Sequence, residues 1–170
     1  MATNKFLTFI GNDKQLVTAI ATSVGVGDAN KIIATGSDGL ISTTLMPVGI
    51  GADTQTAVAF ESLSAGDFVN IFDNGGVTSA RRADADNNRP AHGFVLASFA
   101  GAATAVVFRA GTNNTKTGLT IGAYYYLSVT AGSESTSAPA LSGNNLIQGL
   151  GSAVSATAIA FQPTQVIIAV

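Results

Sequence analysis

From Thr56 onward the chain alternates short apolar runs with turn residues. In residues 67–72, Val69 and Ile71 fall on one face of a strand, and the residues between them face the other way. Turn signals recur about every 8 to 12 residues, and no βαβ alternation is present. The pattern predicts a mainly β protein, folded as a compact antiparallel β-sandwich or small barrel. The predicted strands are 57–60, 67–72, 77–83, 93–99, 104–109, 123–130, 146–150, 156–161 and 165–170.

The β-rich part also contains an internal similarity. Residues 63–72 (LSAGDFVNIF) match residues 119–128 (LTIGAYYYLS), with a Leu, a Gly three residues later and then an apolar run. Residues 103–108 (ATAVVF) match residues 156–161 (ATAIAF) at a slightly shorter offset. These matches predict two related units, at about 57–110 and 115–170.

The first third of the chain has a different character. Residues 5–10 (KFLTFI) predict a short strand or extended arm, because aromatic and β-branched residues favour the extended state. Its apolar side chains have no partner nearby in sequence, so we expect them to dock on the main body or on another subunit. Residues 13–22 fit either a helix or a strand: Leu16, Val17 and Ile20 share one helical face, but the segment is short and threonine-containing.

A second string in this third, residues 31–47 (KIIATGSDGLISTTLMP), predicts a short strand, a turn at 37–39 and a stop at Met46-Pro47. Residues 49–55 then have the composition of a linker. We therefore expect an N-terminal arm and docking segment over residues 1–55 and a β-rich body over residues 56–170.

The amino-acid composition limits the classes of function that fit this chain. The chain is 46% hydrophobic but only 11% charged, against about 25% in ordinary globular proteins. A monomer normally keeps its surface soluble with charge, so this composition predicts surface that is covered by other subunits. A small secreted domain coated with Thr, Ser and Asn is the alternative. A net charge of −2 predicts no nucleic-acid partner, and no segment has the length of a membrane span.

The candidates for chemistry are sparse. His92 is the single histidine, and no Gly-x-Ser-x-Gly elbow frames a nucleophile. The loop Asp84-Ala-Asp86-Asn87-Asn88 begins like a calcium loop but lacks the later Gly and Glu. The sequence has no cysteine. We therefore expect no enzymatic activity, no metal and no cofactor.

Interface residues are expected instead. Tyr124, Tyr125 and Tyr126 alternate across a strand, so one face is expected in the core and the other, which carries Tyr125, in a subunit contact. Arg81 and Arg82 are also divided between faces: either one reaches a carboxylate of a partner, or both are paired surface charges. The full set of predicted capsid or subunit contacts is Phe6, Leu7, Phe9, Ile10, Leu45, Met46, Arg81, Arg82 and Tyr125.

Two segments resemble bacteriophage virion proteins. Residues 31–47 are similar to a string that recurs in phage fibre and head structural proteins. The body resembles small phage capsid decoration (cement) proteins and head-fibre modules, at positions that cover most of the chain: Gly66, 82–84 (RAD), 89–95 (RPAHGFV), 118–127 (GLTIGAYYYL) and 147–151 (IQGLG).

The resemblance implies a protein that binds the outside of an assembled icosahedral shell, often as a homotrimer, with the major capsid protein as partner. Its expected location is the outer capsid surface of the virion, after synthesis in the host cytoplasm. The alternative is a head- or tail-fibre module that binds host-cell glycan through Tyr125 or the loop at 132–145. The chain contains no long repeat or coiled-coil shaft, which weighs against a fibre. A secreted adhesive domain would require an export signal, and the N-terminal sequence does not read as one.

Overall fold

A computed structural model describes residues 5–10, 13–29, 31–46, 51–140, 142–143 and 145–168. Within these residues the protein is mainly β, as predicted, with fourteen strands and two short 3-10 turns. The chain divides into two compact units, Met1–Gly51 and Ala52–Val170, which we call the N-terminal unit and the body. The division falls four residues before the boundary expected from sequence.

The N-terminal unit begins with a β-hairpin. Strand β1 (Lys5–Ile10) pairs antiparallel with β2 (Asp13–Thr18), in a register that runs from Lys5 opposite Thr18 to Ile10 opposite Asp13. The extended state expected for β1 is therefore confirmed, but the expectation that it lacks a local partner was wrong. The segment for which helix and strand were both open is a strand. Two 3-10 turns follow, at Val26–Asp28 and Thr43–Leu45.

The body starts with a five-stranded closed barrel, which we call the first repeat. Its strands are β3 (Thr54–Ala59), β4 (Phe68–Asn74), β5 (Val77–Arg82), β6 (Gly93–Phe94) and β7 (Thr104–Phe108). Around the barrel they lie in the order β5-β4-β6-β7-β3, and β3 closes the ring by pairing parallel with β5. Small and branched side chains fill the interior: Ala57, Ala59, Leu63, Val69, Ala80, Val95, Ala105 and Val107.

The second repeat is an open five-stranded sheet. It contains β8 (Gly111–Asn113), β9 (Tyr124–Leu127), β10 (Glu134–Ser135), β12 (Gly149–Ser155) and β13 (Ala158–Phe161), in the order β10-β9-β12-β13-β8. A separate pair joins β11 (Leu146–Ile147) to β14 (Ile167–Ile168). The predicted C-terminal strand is thus present but short, and its last two residues lie outside the described ones.

The two repeats have the same strand order. The same turn also precedes the second strand of each: the Asp67 amide donates to the Ser64 carbonyl (3.0 Å), and the Ala123 amide donates to the Thr120 carbonyl (3.1 Å). The third residue of each turn, Gly66 or Gly122, has φ of 92° or 80°, which favours glycine. The internal similarity of the sequence therefore corresponds to a repeated topology.

The repeats differ in how their ends meet. In the described part of the second repeat no ladder joins β8 to β10. Instead, an ion pair between Lys116, which follows β8, and Glu134 on β10 links the two ends. Both side chains are largely buried, at 10% and 14% exposure, and the Lys116 ammonium lies 4.6 Å from the centre of the Phe68 ring. The first repeat therefore covers the open side of the second.

The space between the repeats is the main core of the body. Phe68 and Phe94 from the first repeat pack with Phe161 from the second, at ring-centre distances of 5.7 and 5.6 Å. The Phe68 amide also donates to the Gly132 carbonyl in the second repeat (3.0 Å). Since fully burying a Phe side chain contributes about 1.5–3 kcal/mol, this contact makes the two repeats one folding unit.

The buried ion pair supplies a test of this arrangement. Lys116→Met should lower the free energy of unfolding by about 3–5 kcal/mol, because it leaves the Glu134 carboxylate buried without its cation. The double variant Lys116→Met/Glu134→Leu should lose clearly less. Urea unfolding followed by far-UV circular dichroism measures both.

The matched control is Lys31→Met, which breaks the more exposed Lys31–Asp28 pair of the N-terminal unit. It should change the free energy of unfolding by no more than about 1 kcal/mol. Equal losses in Lys116→Met and in the control would show that the buried pair does not hold the two ends of the second repeat together.

Candidate interaction surfaces

The N-terminal unit exposes most of its apolar side chains. None of its described residues is buried. Leu7 and Leu16 face each other across the hairpin, at 58% and 68% exposure. An isolated two-stranded hairpin is at best marginally stable in water. The apolar side chains of this unit lie largely unburied in the part of the chain that the structure describes.

The predicted contacts in this unit fall as follows. Leu7 and Met46 are exposed, and Phe6 and Leu45 are half-buried. Phe9 and Ile10 lie on β1, but their side chains are outside the described residues. No contact was predicted from sequence at the other large apolar residues exposed here: Leu16, Val24, Val26, Ile32, Ile33, Leu40 and Ile41. The sequence feature that could have indicated these exposed residues is the low proportion of charged side chains in the chain.

The turn predicted at residues 37–39 is present. Gly36 and Leu40 are joined by a hydrogen bond from the Gly36 amide to the Leu40 carbonyl (2.8 Å), and Asp38 Oδ1 accepts from the Leu40 amide (3.0 Å). This turn lines a shallow cavity of about 440 Å³ together with residues 21–22 and 41–43. The exposed Leu40 and Ile41 border it.

The two neighbouring arginines of β5 have different roles. Arg82 is paired with Glu61: its Nη2 donates to Oε2 (3.0 Å) and its amide donates to Oε1 (2.9 Å). Although partial burial of Glu61 opposes the effect, these hydrogen bonds and the arginine charge lower the pKa of Glu61 below its usual value. Arg82 is thus a paired charge within the body.

Arg81 lies on the outside of the barrel with two aromatic rings. Its guanidinium carbon lies 4.1 Å from the centre of the Phe72 ring, and its Nε donates to Asn70 Oδ1 (3.0 Å). Phe72 in turn meets Phe60 edge to face, with 5.4 Å between ring centres. Phe60 is 57% exposed. We call Phe60, Phe72 and Arg81 the arginine–aromatic surface.

The three tyrosines alternate across the strand as predicted, but the two faces were assigned the wrong way round: Tyr125 faces the core, and Tyr124 and Tyr126 face outward. Tyr125 is 5% exposed and packs in the core, where its hydroxyl accepts a hydrogen bond from the Thr120 amide (2.9 Å). It therefore cannot serve as an interface residue. Tyr124 and Tyr126 lie on the outer face, in a T-shaped pair with ring centres 5.3 Å apart. Tyr124 also lies against the bare backbone of Gly149, where even a Cβ would clash with the ring.

The loop at 132–145, the other candidate glycan contact, is only partly exposed in its described residues. It contributes β10 to the sheet, and Gly132 is buried. Its outer part borders a shallow pocket of about 330 Å³ lined by Ser128, Val129, Ser135, Ser137, Ala138, Pro139, Ala140 and Asn145.

The two features that could have suggested chemistry are engaged in local structure. His92 Nδ1 accepts a hydrogen bond from the Ile71 amide (3.0 Å). Asp84 is only 6% exposed, and its carboxylate accepts from the Asp86 amide (3.0 Å) and from Asn87 Nδ2 (2.6 Å). Over the residues that the structure describes, no group of three His, Cys, Asp or Glu side chains could hold a metal ion.

A membrane-crossing helix is not found either: in the described ranges no helix is long and apolar enough. Comparison with known proteins gives no family for this fold. The sequence matches no protein-family model, and it has no significant match among curated proteins or solved structures.

The environment of His92 predicts a pH dependence. Partial burial lowers the pKa of this imidazole from its ordinary 6.5, and its Nδ1 can accept from Ile71 only when unprotonated. Since the unfolded chain takes up the proton at higher pH than the folded one, stability should fall as the pH drops below 6.5. Proton NMR of this single histidine should give an apparent pKa below that value.

His92→Gln should flatten the change in melting temperature between neutral and mildly acidic pH, because the titrating group is gone. An imidazole pKa at or above the ordinary value in the folded protein would contradict this account.

Proposed function

We propose that this protein is a phage virion structural protein that binds the outside of the assembled capsid and stabilises it, as cement proteins do. The observation that supports the proposal most directly is the contrast between the two units. The body has a complete core, whereas none of the described residues in the N-terminal unit is buried. A self-sufficient body joined to an unsupported apolar segment fits a protein that attaches to a larger surface.

In this proposal the N-terminal unit grips the major capsid protein. Each large apolar side chain that becomes buried would contribute about 1.5–3 kcal/mol before ordering costs. Leu7 and Leu16 form one apolar pair on the hairpin, and Leu40 and Ile41 form a second exposed group after the turn. The hairpin strands could also extend a sheet of the shell by strand addition.

The body would then associate with itself, as a homotrimer. Low charge supports self-association, because a surface with only 11% charged residues has little to keep copies apart. Closed symmetry would bury the same surface in every copy. The virion's outer capsid surface is the location this proposal assigns.

Deletion of residues 2–18 tests the attachment. The variant should reoccupy purified particles, stripped of this protein, at least about tenfold less tightly, since a net loss of about 1.4 kcal/mol already gives that factor. The body should keep its melting temperature, because its core lies outside the deleted segment. Pelleting with particles and differential scanning calorimetry measure the two quantities.

Matched point variants sharpen the test. Leu7→Ser/Leu16→Ser should weaken pelleting, while Val129→Ser, at an exposed position of the body, should not. Undiminished pelleting by the deletion variant would rule out attachment through the N-terminal unit.

A second candidate is a head- or tail-fibre module that binds host-cell glycan. The outward-facing pair of exposed Tyr124 and half-buried Tyr126 favours it, since aromatic rings commonly supply the apolar contact in a ligand site. A glycan array with the wild type and with Tyr124→Ala/Tyr126→Ala tests this candidate: binding lost in the variant would support it.

The molar ratio of this protein to the major shell protein in purified particles separates the two functions, because a cement protein is present in many copies and a fibre protein in few.

A further inference from the structure

We infer that the arginine–aromatic surface is a separate binding site, at which Arg81 binds a side-chain carboxylate of a protein partner. The inference goes beyond the capsid proposal, because it depends on contacts of the barrel and not on the N-terminal unit. Three features support it: the fixed position of the guanidinium, its lack of a carboxylate, and the exposed phenyl ring beside it.

The guanidinium is held before any ligand arrives. Asn70 is 4% exposed, and its Nδ2 donates to the Pro90 carbonyl (2.9 Å), which orients Oδ1 toward Arg81 Nε (3.0 Å). Phe72 supports the guanidinium plane from one side at 4.1 Å. An arginine fixed in this way loses little side-chain entropy when its two terminal nitrogens bind a ligand.

Within the described part of the chain, the charge of Arg81 is offset only by that of Glu61, which acts on it without a direct ion pair. No ion pair joins it to a carboxylate of the residues that the structure describes. The acidic side chain near it, Glu61, is already hydrogen-bonded to Arg82. Burial and the positive charge of Arg89 lower the pKa of Arg81 from its usual value. A carboxylate from outside would supply the missing negative charge.

The surroundings favour a protein carboxylate over a free anion. Phe60 donates its amide to the Ala80 carbonyl (2.8 Å), which places this 57%-exposed ring beside the Arg81 strand. Arginine and aromatic residues, Phe among them, are enriched at the core of protein interfaces. The planar guanidinium matches a carboxylate in a two-bond fork. The expected ligand is therefore an Asp or Glu side chain flanked by apolar residues.

NMR titration with two peptides tests the inference. The probes are acetyl-Gly-Phe-Asp-Phe-Gly-amide and the same peptide with Asn in place of Asp. The Arg81 Nε–H signal and the amides of Asn70 and Phe72 should shift with the Asp peptide, and this peptide should bind about tenfold more tightly than the Asn peptide. Wild-type protein alone answers this question, so the result does not depend on a variant that folds.

Three variants locate the effect. Arg81→Gln should bind both peptides equally, and Arg81→Lys should lose most of the preference, because an ammonium cannot form the fork. Arg109→Gln is the control: it removes the same charge, and Arg109 hydrogen-bonds Gln55 near the opposite end of β3 from Phe60. It should behave as the wild type.

Three results would overturn the inference. Equal affinity of the wild type for the two peptides would show that no carboxylate is recognised. An equal loss in Arg109→Gln would assign the preference to net charge. Equal shifts of the Arg81 signal with inorganic phosphate would show a general anion site instead of a surface for a protein partner. The peptide result and the particle result are independent, so failure of one leaves the other standing.

Discussion

The contact between aromatic side chains of the two repeats is the constraint on which the rest of the body depends. Phe68 and Phe94 lie outside the first barrel, yet they are fully buried because Phe161 and its neighbours cover them. The second repeat, which covers these rings, is open, and the Lys116–Glu134 pair, with the Phe68 ring beside the ammonium, takes the place of the strand pairing that closes the first.

Sequence patterns predicted the β class, the faces of residues 67–72 and the repeat, because these depend on local alternation and on glycines with required geometry. They did not predict that the first repeat closes into a barrel while the second stays an open sheet. Closure depends on the parallel pairing of β3 with β5, which are not consecutive strands. The hairpin of β1 and β2 was missed because β2 also fits a helical face. Its signal was the Gly-Asn pair between two apolar runs, a common hairpin sequence.

The candidate surfaces also depend on contacts between distant segments, which the sequence pattern does not specify. Alternation established that Arg81 and Arg82 face opposite ways and that Tyr125 opposes its neighbours. Which face is covered depends on partners elsewhere in the chain. Glu61 binds Arg82 and leaves Arg81 without a carboxylate, and the first repeat packs against the Tyr125 side of the second. Phe60 was not predicted as a surface residue, because its contact with Phe72 on the outside of the barrel depends on the parallel pairing of β3 with β5.

The open second repeat has a consequence for the origin of the chain. A single unit with this topology would carry both an exposed aromatic face, like that of Phe68 and Phe94, and a sheet able to cover such a face. Two separate copies could bury this surface by association, with the aromatic face of one seated on the sheet of the other. The present chain has the arrangement of such a homodimer within one polypeptide: the aromatic face of the closed first repeat is seated on the open sheet of the second.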